Sequence, residues 1–162
     1  MPTIVSDTGP LNYLILIESD SVLPRLFSSV LIPGAVRQEF SHQSAPAAVR
    51  TWIARPPSWL NIAAPNSPLT PEPSHLDVGE REVIALALER AEMLLLLDDR
   101  RAATEARNRG LQVIGTLAVL DRAAIRGWIS LPEMFKRLRN TSFRAPLRLM
   151  ARMLEEDSLR KK

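Results

Sequence analysis

The chain has 162 residues, 46% hydrophobic and 24% charged, which suits one domain with a proper core rather than a disordered or fibrous chain. It has no cysteine, which excludes a disulfide framework and a thiolate zinc site. Its apolar runs, such as Met93 to Leu97, fall far short of the roughly 20 residues that cross a bilayer.

The net charge of +3 conceals an asymmetry. Residues 1–121 hold 10 Lys/Arg against 14 Asp/Glu, whereas residues 122–162 hold 11 against 4. A basic tail on an acidic body suits an anionic partner such as nucleic acid, and a solvated helical face has the same composition. No basic stretch followed by an apolar run and cleavage site opens the chain, so a cytoplasmic protein without a membrane partner is expected.

Thr3-Ile4-Val5 is a short β-branched run that reads as a buried strand ending at Asp7. Thr8 or Gly9 supplies a helix N-cap and Pro10 fits the first turn, with Leu11, Leu14, Ile15 and Ile17 forming the apolar face of a helix to about Glu18. Asp7 therefore sits where a first strand meets a helix N-terminus, the edge at which ligand sites form in open α/β sheets. Capping the helix is the alternative role for Asp7.

Ser21 to Phe27 reads as a short helix and Ser29 to Ile32 as a second strand, stopped by Pro33-Gly34. Ala35 to Phe40 begins another helix, with Glu39 near its end; Gln43 to Ala54 is helical, and Trp59 to Ile62 an edge strand. Residues 64–74 contain four prolines, a density that neither a helix nor a central strand tolerates, so this stretch is a surface loop.

Asp77-Val78-Gly79-Glu80 opens the clearest helix, in which Val83-Ile84, Ala87-Leu88 and Ala91 recur at helical spacing. Met93 to Leu97 is a strand buried on both faces, ending in Asp98-Asp99. Arg100 to Arg109 is a helix closed by Gly110, Gln112 to Ile114 a last strand, and Thr116 to Arg126 a helix ended by Gly127. Pro132 to Arg139 and Pro146 to Glu156 read as two further helices carrying most of the basic excess. Strands alternating with helices predict a parallel sheet covered on both sides.

Carboxylates thus recur at strand ends or helix starts: Asp7, Glu39, Glu80 and Asp98-Asp99. Gathered at one sheet edge they repel one another unless a cation lies between them. The fitting occupant is a hard divalent ion with oxygen ligands, Mg²⁺ or Mn²⁺, and such a site suits phosphodiester hydrolysis. Each residue also has a structural role open to it. Asp77 and Glu80 have capping-box spacing, Glu39 fits an exposed helix face, and either Asp98 or Asp99 can cap the following helix. Asp121 reads as an ion-pair partner rather than a ligand, and His42 and His75 as exposed. The triplet Asp7-Thr8-Gly9 also occurs in aspartic proteases, which need two such triplets on an all-β scaffold; the helical periodicity after residue 77 contradicts that fold.

In chain order, the strand leading to Asp7-Thr8, Pro33-x-x-Val36-x-x-Glu39, Gly79-Glu80 with Ile84-Ala85-Leu86-Ala87, and Leu95-Leu96-Leu97-Asp98-Asp99-Arg100 resemble a PIN domain. With Gly110-Leu111-x-Val113-Ile114-Gly115-Thr116-Leu117-x-Val119-Leu120, they are similar more narrowly to the predicted nucleic-acid-binding PIN subfamily close to VapC toxins. The similarity spans about residues 3–131.

The resemblance implies a three-layer α/β/α fold around a mostly parallel sheet, with residues 1–131 as the PIN-like nuclease domain; residues 132–162, which it does not cover well, read as a basic C-terminal helical extension packed on or extending the same domain. It implies Mg²⁺- or Mn²⁺-dependent endoribonuclease activity, often a homodimer, and a cognate antitoxin where the protein is the toxin of a type II pair. Asp7, Glu39, Glu80 and Asp99 look like the acidic catalytic positions, with Asp7, Glu80 and Asp99 as metal ligands and Asp98 as the alternative to Asp99. Many PIN domains place a threonine two residues before the last aspartate; here Leu97 stands there. Arg137, Arg139, Arg144 and Arg148 are candidates for contacts with the RNA backbone. The alternative function is a binding module that keeps the fold without the chemistry.

Overall fold

The computed structural model of the chain describes residues 2–90 and 93–162. Strands β1 (Thr3–Ser6), β2 (Ser29–Pro33), β3 (Leu60–Ala63), β4 (Met93–Leu96) and β5 (Gln112–Ile114) form one sheet in the order β3-β2-β1-β4-β5. Every neighbouring pair is parallel, so each connection must cross over the sheet, and helices make those crossings. Central β1 and β4 are covered on both faces, which is why Ile4-Val5 and Leu94-Leu95-Leu96 are unbroken apolar runs. Each such buried aliphatic side chain contributes about 1.5–3 kcal/mol of transfer free energy. At the β3 edge that demand lapses, and Asn61 and Ile62 face solvent.

The helices are α1 (Thr8–Leu16), α2 (Leu23–Leu26) after a 3-10 turn, α3 (Gly34–Ser41), α4 (Ala47–Ala54), α5 (Val78–Glu89), α6 (Arg100–Asn108), α7 (Thr116–Ile125), α8 (Leu131–Arg139) and α9 (Leu147–Arg160). Helix α1 packs with α3, α4 and α7, whereas α5 lies across β1, β2 and β4, and α6 against β5. The chain steps from β1 to β2 to β3 in one direction and from β4 to β5 in the other. With right-handed crossovers this puts α1 and α4 on one face and α5 and α6 on the opposite face. The result is the expected three-layer α/β/α arrangement. Leu131, Phe135 and Leu138 of α8 and Met150 of α9 belong to the same hydrophobic cluster as the sheet.

The structure corrects several local expectations. The residue at the α1 N-cap is Asp7, not Thr8 or Gly9; its backbone is extended and its side chain makes no capping hydrogen bond. Helix α4 starts only at Ala47, because Pro46 in extended geometry precedes it and residues 42–45 form a turn. Helix α9 continues past Glu156 to Arg160. Ala91, assigned by its spacing to α5, lies outside the described residues.

The proline-rich segment has no helix or strand, yet it is pinned. A Glu89 carboxylate oxygen accepts the N–H groups of Asn66 (2.6 Å) and Ser67 (3.1 Å), and Arg109 donates to the Pro71 carbonyl at 2.8 Å. Leu69 is buried beneath it.

Candidate active site

The connections from β1 and β4 leave in opposite directions, so a crevice opens where the C-terminal ends of these neighbouring strands meet. Asp7 stands at that point. Its backbone N–H donates to the Leu96 carbonyl at 3.0 Å, continuing the β1–β4 ladder by one residue, and its carboxylate is free of the helix cap. Three further elements bring acidic groups to the crevice: α3 brings Glu39, the start of α5 brings Asp77 and Glu80, and the turn after β4 brings Asp99.

Gly79 marks their meeting point. A Cβ on this residue would lie 2.8 Å from Glu39 Oε1, 3.4 Å from Asp77 Oδ1 and 3.7 Å from Asp7 Oδ1. The first of these separations is shorter than side chains tolerate, so the carboxylates crowd the space that glycine leaves open. Helix α3 is tied to α5 nearby, where the Ala35 N–H donates to Glu82 Oε2 at 3.2 Å.

The electrostatics follow from that crowding. Burial pushes the Asp7 carboxyl up to about 7, opposed by the Thr8 N–H and reinforced by the charges of Glu80, Asp77 and Glu39. Glu39 is raised by partial burial of its carboxylate and further by Asp77, against the pull of the nearby Thr8 hydroxyl. Glu80 is raised by burial and by Asp77, Asp99 and Glu39, against the hydrogen bond it accepts from Asp77. Asp7, Glu39, Glu80 and Asp99 are therefore brought into one electrostatic neighbourhood, with Asp77 as a member that sequence spacing identifies only as a cap.

Several of these carboxylates also have structural roles. Asp77 Oδ1 accepts the Glu80 N–H at 2.8 Å while Glu80 Oε1 accepts the Asp77 N–H at 3.0 Å, a complete capping box. Asp99 Oδ1 accepts the Ala102 N–H at 2.9 Å and so caps α6. Asp98 turns to a different partner: it accepts the Thr116 N–H at 2.8 Å and the Thr116 hydroxyl at 2.6 Å, joining the end of β4 to the start of α7. Burial raises the Asp98 carboxyl, and those two bonds oppose the rise.

Among the described residues, no three acidic or histidine side chains stand close enough to form a ready metal ligand set. The capping box holds one oxygen each of Asp77 and Glu80 on the backbone. The donor chemistry nonetheless fits a hard divalent cation: it is all oxygen, anionic, and destabilised by its own charge. The Thr8 hydroxyl oxygen, next to Asp7, is buried and makes no well-formed hydrogen bond, which leaves an unsatisfied polar atom beside the cluster.

The basic candidates lie elsewhere. Arg137 donates to the Ile17 carbonyl at 3.2 Å and to Glu133 at 3.3 Å, just beyond the C-terminal end of α1. It is thus at the opposite end of α1 from Asp7. Arg139, Arg144 and Arg148 are exposed. Asp121 pairs with Arg160 of α9 at 3.2 Å, an ion pair as expected. His42 and His75 are exposed, as expected.

Fold and site together define a parallel α/β protein with an acidic crevice at the switch point of its sheet. A family model described as a PIN domain matches residues 3–158, and the chain belongs to that family, whose members are typically nucleases using divalent metals. The match runs through α8 and into α9, farther than the motif resemblance reached. Among solved structures, a PilT N-terminus domain protein from the hyperthermophilic archaeon Sulfolobus solfataricus P2 is similar at a TM-score of 0.52 and 16% identity. The alignment covers 76% of this chain and 93% of that one, and at this identity it speaks to the fold alone. No curated protein matches the chain. Among the described residues no helix is long and apolar enough to cross a membrane.

Proposed function

We propose that the chain is a divalent-metal-dependent endoribonuclease that hydrolyses RNA phosphodiester bonds. The observation that carries this reading is the convergence of Glu39, Asp77 and Asp7 oxygens, from three separate elements, on the space above Gly79.

Asp7, Glu80 and Asp99 are the proposed holders of Mg²⁺ or Mn²⁺, with Glu39 binding directly or through water. A cation held there would neutralise charge on the phosphoryl oxygens and increase the acidity of a water molecule. Asp7 is the central group: anchored to β4 through its backbone, it cannot retreat from its neighbours, and its raised pKa makes cation uptake compete with a proton near neutrality. Asp77 holds the first turn of α5 so that Glu80 stays at the rim. Asp98, occupied by Thr116, positions the β4 end and thereby Asp99. The exposed Arg139, Arg144 and Arg148 are proposed to meet the RNA backbone, and the toxin role, with a cognate antitoxin and a homodimer, is the biological setting that fits the family. The protein is proposed to act in the cytoplasm.

The test is RNA cleavage in Mn²⁺ by the native chain and by Asp7→Asn. The native chain is expected to cut, chelator to stop it, and the folded variant to be inactive. Binding of RNA that needs no metal, without cutting by either protein, would instead identify a binding module.

A further inference from the structure

Beside the acidic crevice, on the other flank of α3, lies a cleft of about 380 Å³ lined by Gly34, Arg37, Gln38, Ser41, His42 and Ile62. We propose that this cleft is a nucleotide subsite for the RNA strand, in which Arg37 binds a backbone phosphate and Ile62 supports the neighbouring sugar and base. The proposal rests on the ribonuclease reading of the adjoining crevice.

The lining has the composition such a subsite requires. Arg37 is exposed and, among the described residues, has no carboxylate within ion-pair distance, so its guanidinium fork is available for a phosphate. The His42 Nδ1 is engaged by the Ser44 N–H at 3.1 Å, so Nε2 is the ring nitrogen left for a ligand. Gln38 offers an amide that both donates and accepts, the pattern that base edges require. The Ser41 hydroxyl donates to the Arg37 carbonyl at 3.0 Å, so its oxygen still has acceptor capacity. Ile62, on the unpaired edge of the sheet, is 42% exposed and supplies an apolar floor. Gly34 has nothing within 4 Å of the position a Cβ would take, so the wall of the cleft is open backbone.

Placement links the cleft to the chemistry. Arg37 and Gln38 line the cleft, while Glu39, about 160° round α3 from Arg37, reaches the space above Gly79, so the helix stands between the two sites. The two sites are separated by roughly one helix diameter, about 10 Å, which an RNA strand covers in about two or three nucleotides. A strand running across α3 can therefore occupy both.

The test measures binding of a fluorescein-labelled, mixed-sequence single-stranded RNA 12-mer in chelator at several salt concentrations. The native chain is compared with Arg37→Ala and with Arg107→Ala, which removes one exposed positive charge from the last turn of α6. Arg37→Ala should weaken binding about tenfold and reduce the salt slope by about 0.7, the loss of one single-strand phosphate contact. Arg107→Ala should stay within about twofold. In Mn²⁺, Arg37→Ala should raise KM about tenfold with kcat nearly unchanged. Should the native chain cut nothing while Arg37→Ala still loses RNA affinity, the nuclease reading fails and the subsite stands. Equal affinity and KM for Arg37→Ala and Arg107→Ala would overturn the subsite and leave the nuclease intact. Absence of RNA binding by the native chain would overturn the subsite as well.

Discussion

Asp98 and Thr116, eighteen positions apart, are joined by two short hydrogen bonds to one carboxylate, 2.8 Å from the Thr116 N–H and 2.6 Å from its hydroxyl. The bond divides two adjacent aspartates between two tasks. Asp98 fastens the end of β4 to the start of α7, whereas Asp99 Oδ1 caps α6 through the Ala102 N–H. Thr116 is fully buried, so removing the acceptor strands two of its donors.

Asp98→Ala is accordingly expected to lower stability by about 2–4 kcal/mol, read from urea unfolding. Asp99→Asn should cost little stability, since asparagine also caps helices, and should abolish metal-dependent cleavage. Native stability together with lost cleavage in Asp98→Ala would reverse the two assignments.

The Asp7 carboxyl gives a pH signature. Its pKa rises from 3.8 to about 7 on folding, so the folded chain holds a proton that the unfolded chain has released. Stability is then highest below the lower value, falls as pH rises between the two, and levels off above about 7. In chelator, the native chain should lose about 2–3 kcal/mol relative to Asp7→Asn between pH 5 and pH 8. Urea midpoints of both proteins at the two pH values check this; parallel profiles would show that Asp7 is not held in a charge-crowded, desolvated site.

Gly79→Ala separates packing from chemistry. Alanine is the better helix former by about 1 kcal/mol, and the side chain it would meet at 2.8 Å is the flexible end of Glu39. The variant should therefore melt within a few degrees of the native chain, while displacing Glu39 and cutting Mn²⁺-dependent cleavage by about tenfold or more. Unchanged cleavage would remove Glu39 from the site.

The arginines of the basic end should divide in the same manner. Arg137, which caps the end of α1 by donating to Ile17, is expected to contribute about 1 kcal/mol of stability, measured by Arg137→Ala unfolding. Exposed Arg148 should leave stability unchanged when replaced by alanine and reduce the salt dependence of RNA binding. The reverse pattern would transfer the phosphate contact to Arg137.

Much of this architecture is legible in the order of the residues. The apolar runs at Ile4-Val5 and Leu94–Leu97 are long enough for strands, too short for helices, and unbroken because both faces are covered. The clustered prolines of residues 64–74 leave no other option than a loop, and Gly110, at φ 86°, ends α6 where glycine alone is comfortable. What the chain order does not convey is direction. Asp77 and Glu80 have the spacing of a cap, and they form one; that the same groups also face Asp7 depends on how α5 crosses the sheet. Asp98 and Asp99 look equivalent in sequence, and only the approach of α7 distinguishes them. The buried Thr8 hydroxyl carries no pattern of its own, since any threonine at a helix start reads as a cap.

The most direct measurement is anomalous diffraction from crystals soaked in Mn²⁺. A peak is expected in the crevice between β1 and β4, bonded to Asp7 and to at least one of Glu80 and Asp99, and absent in Asp7→Asn. A Mn²⁺ ion bound away from Asp7, with RNA cleavage intact in the variant, would contradict the proposed metal centre.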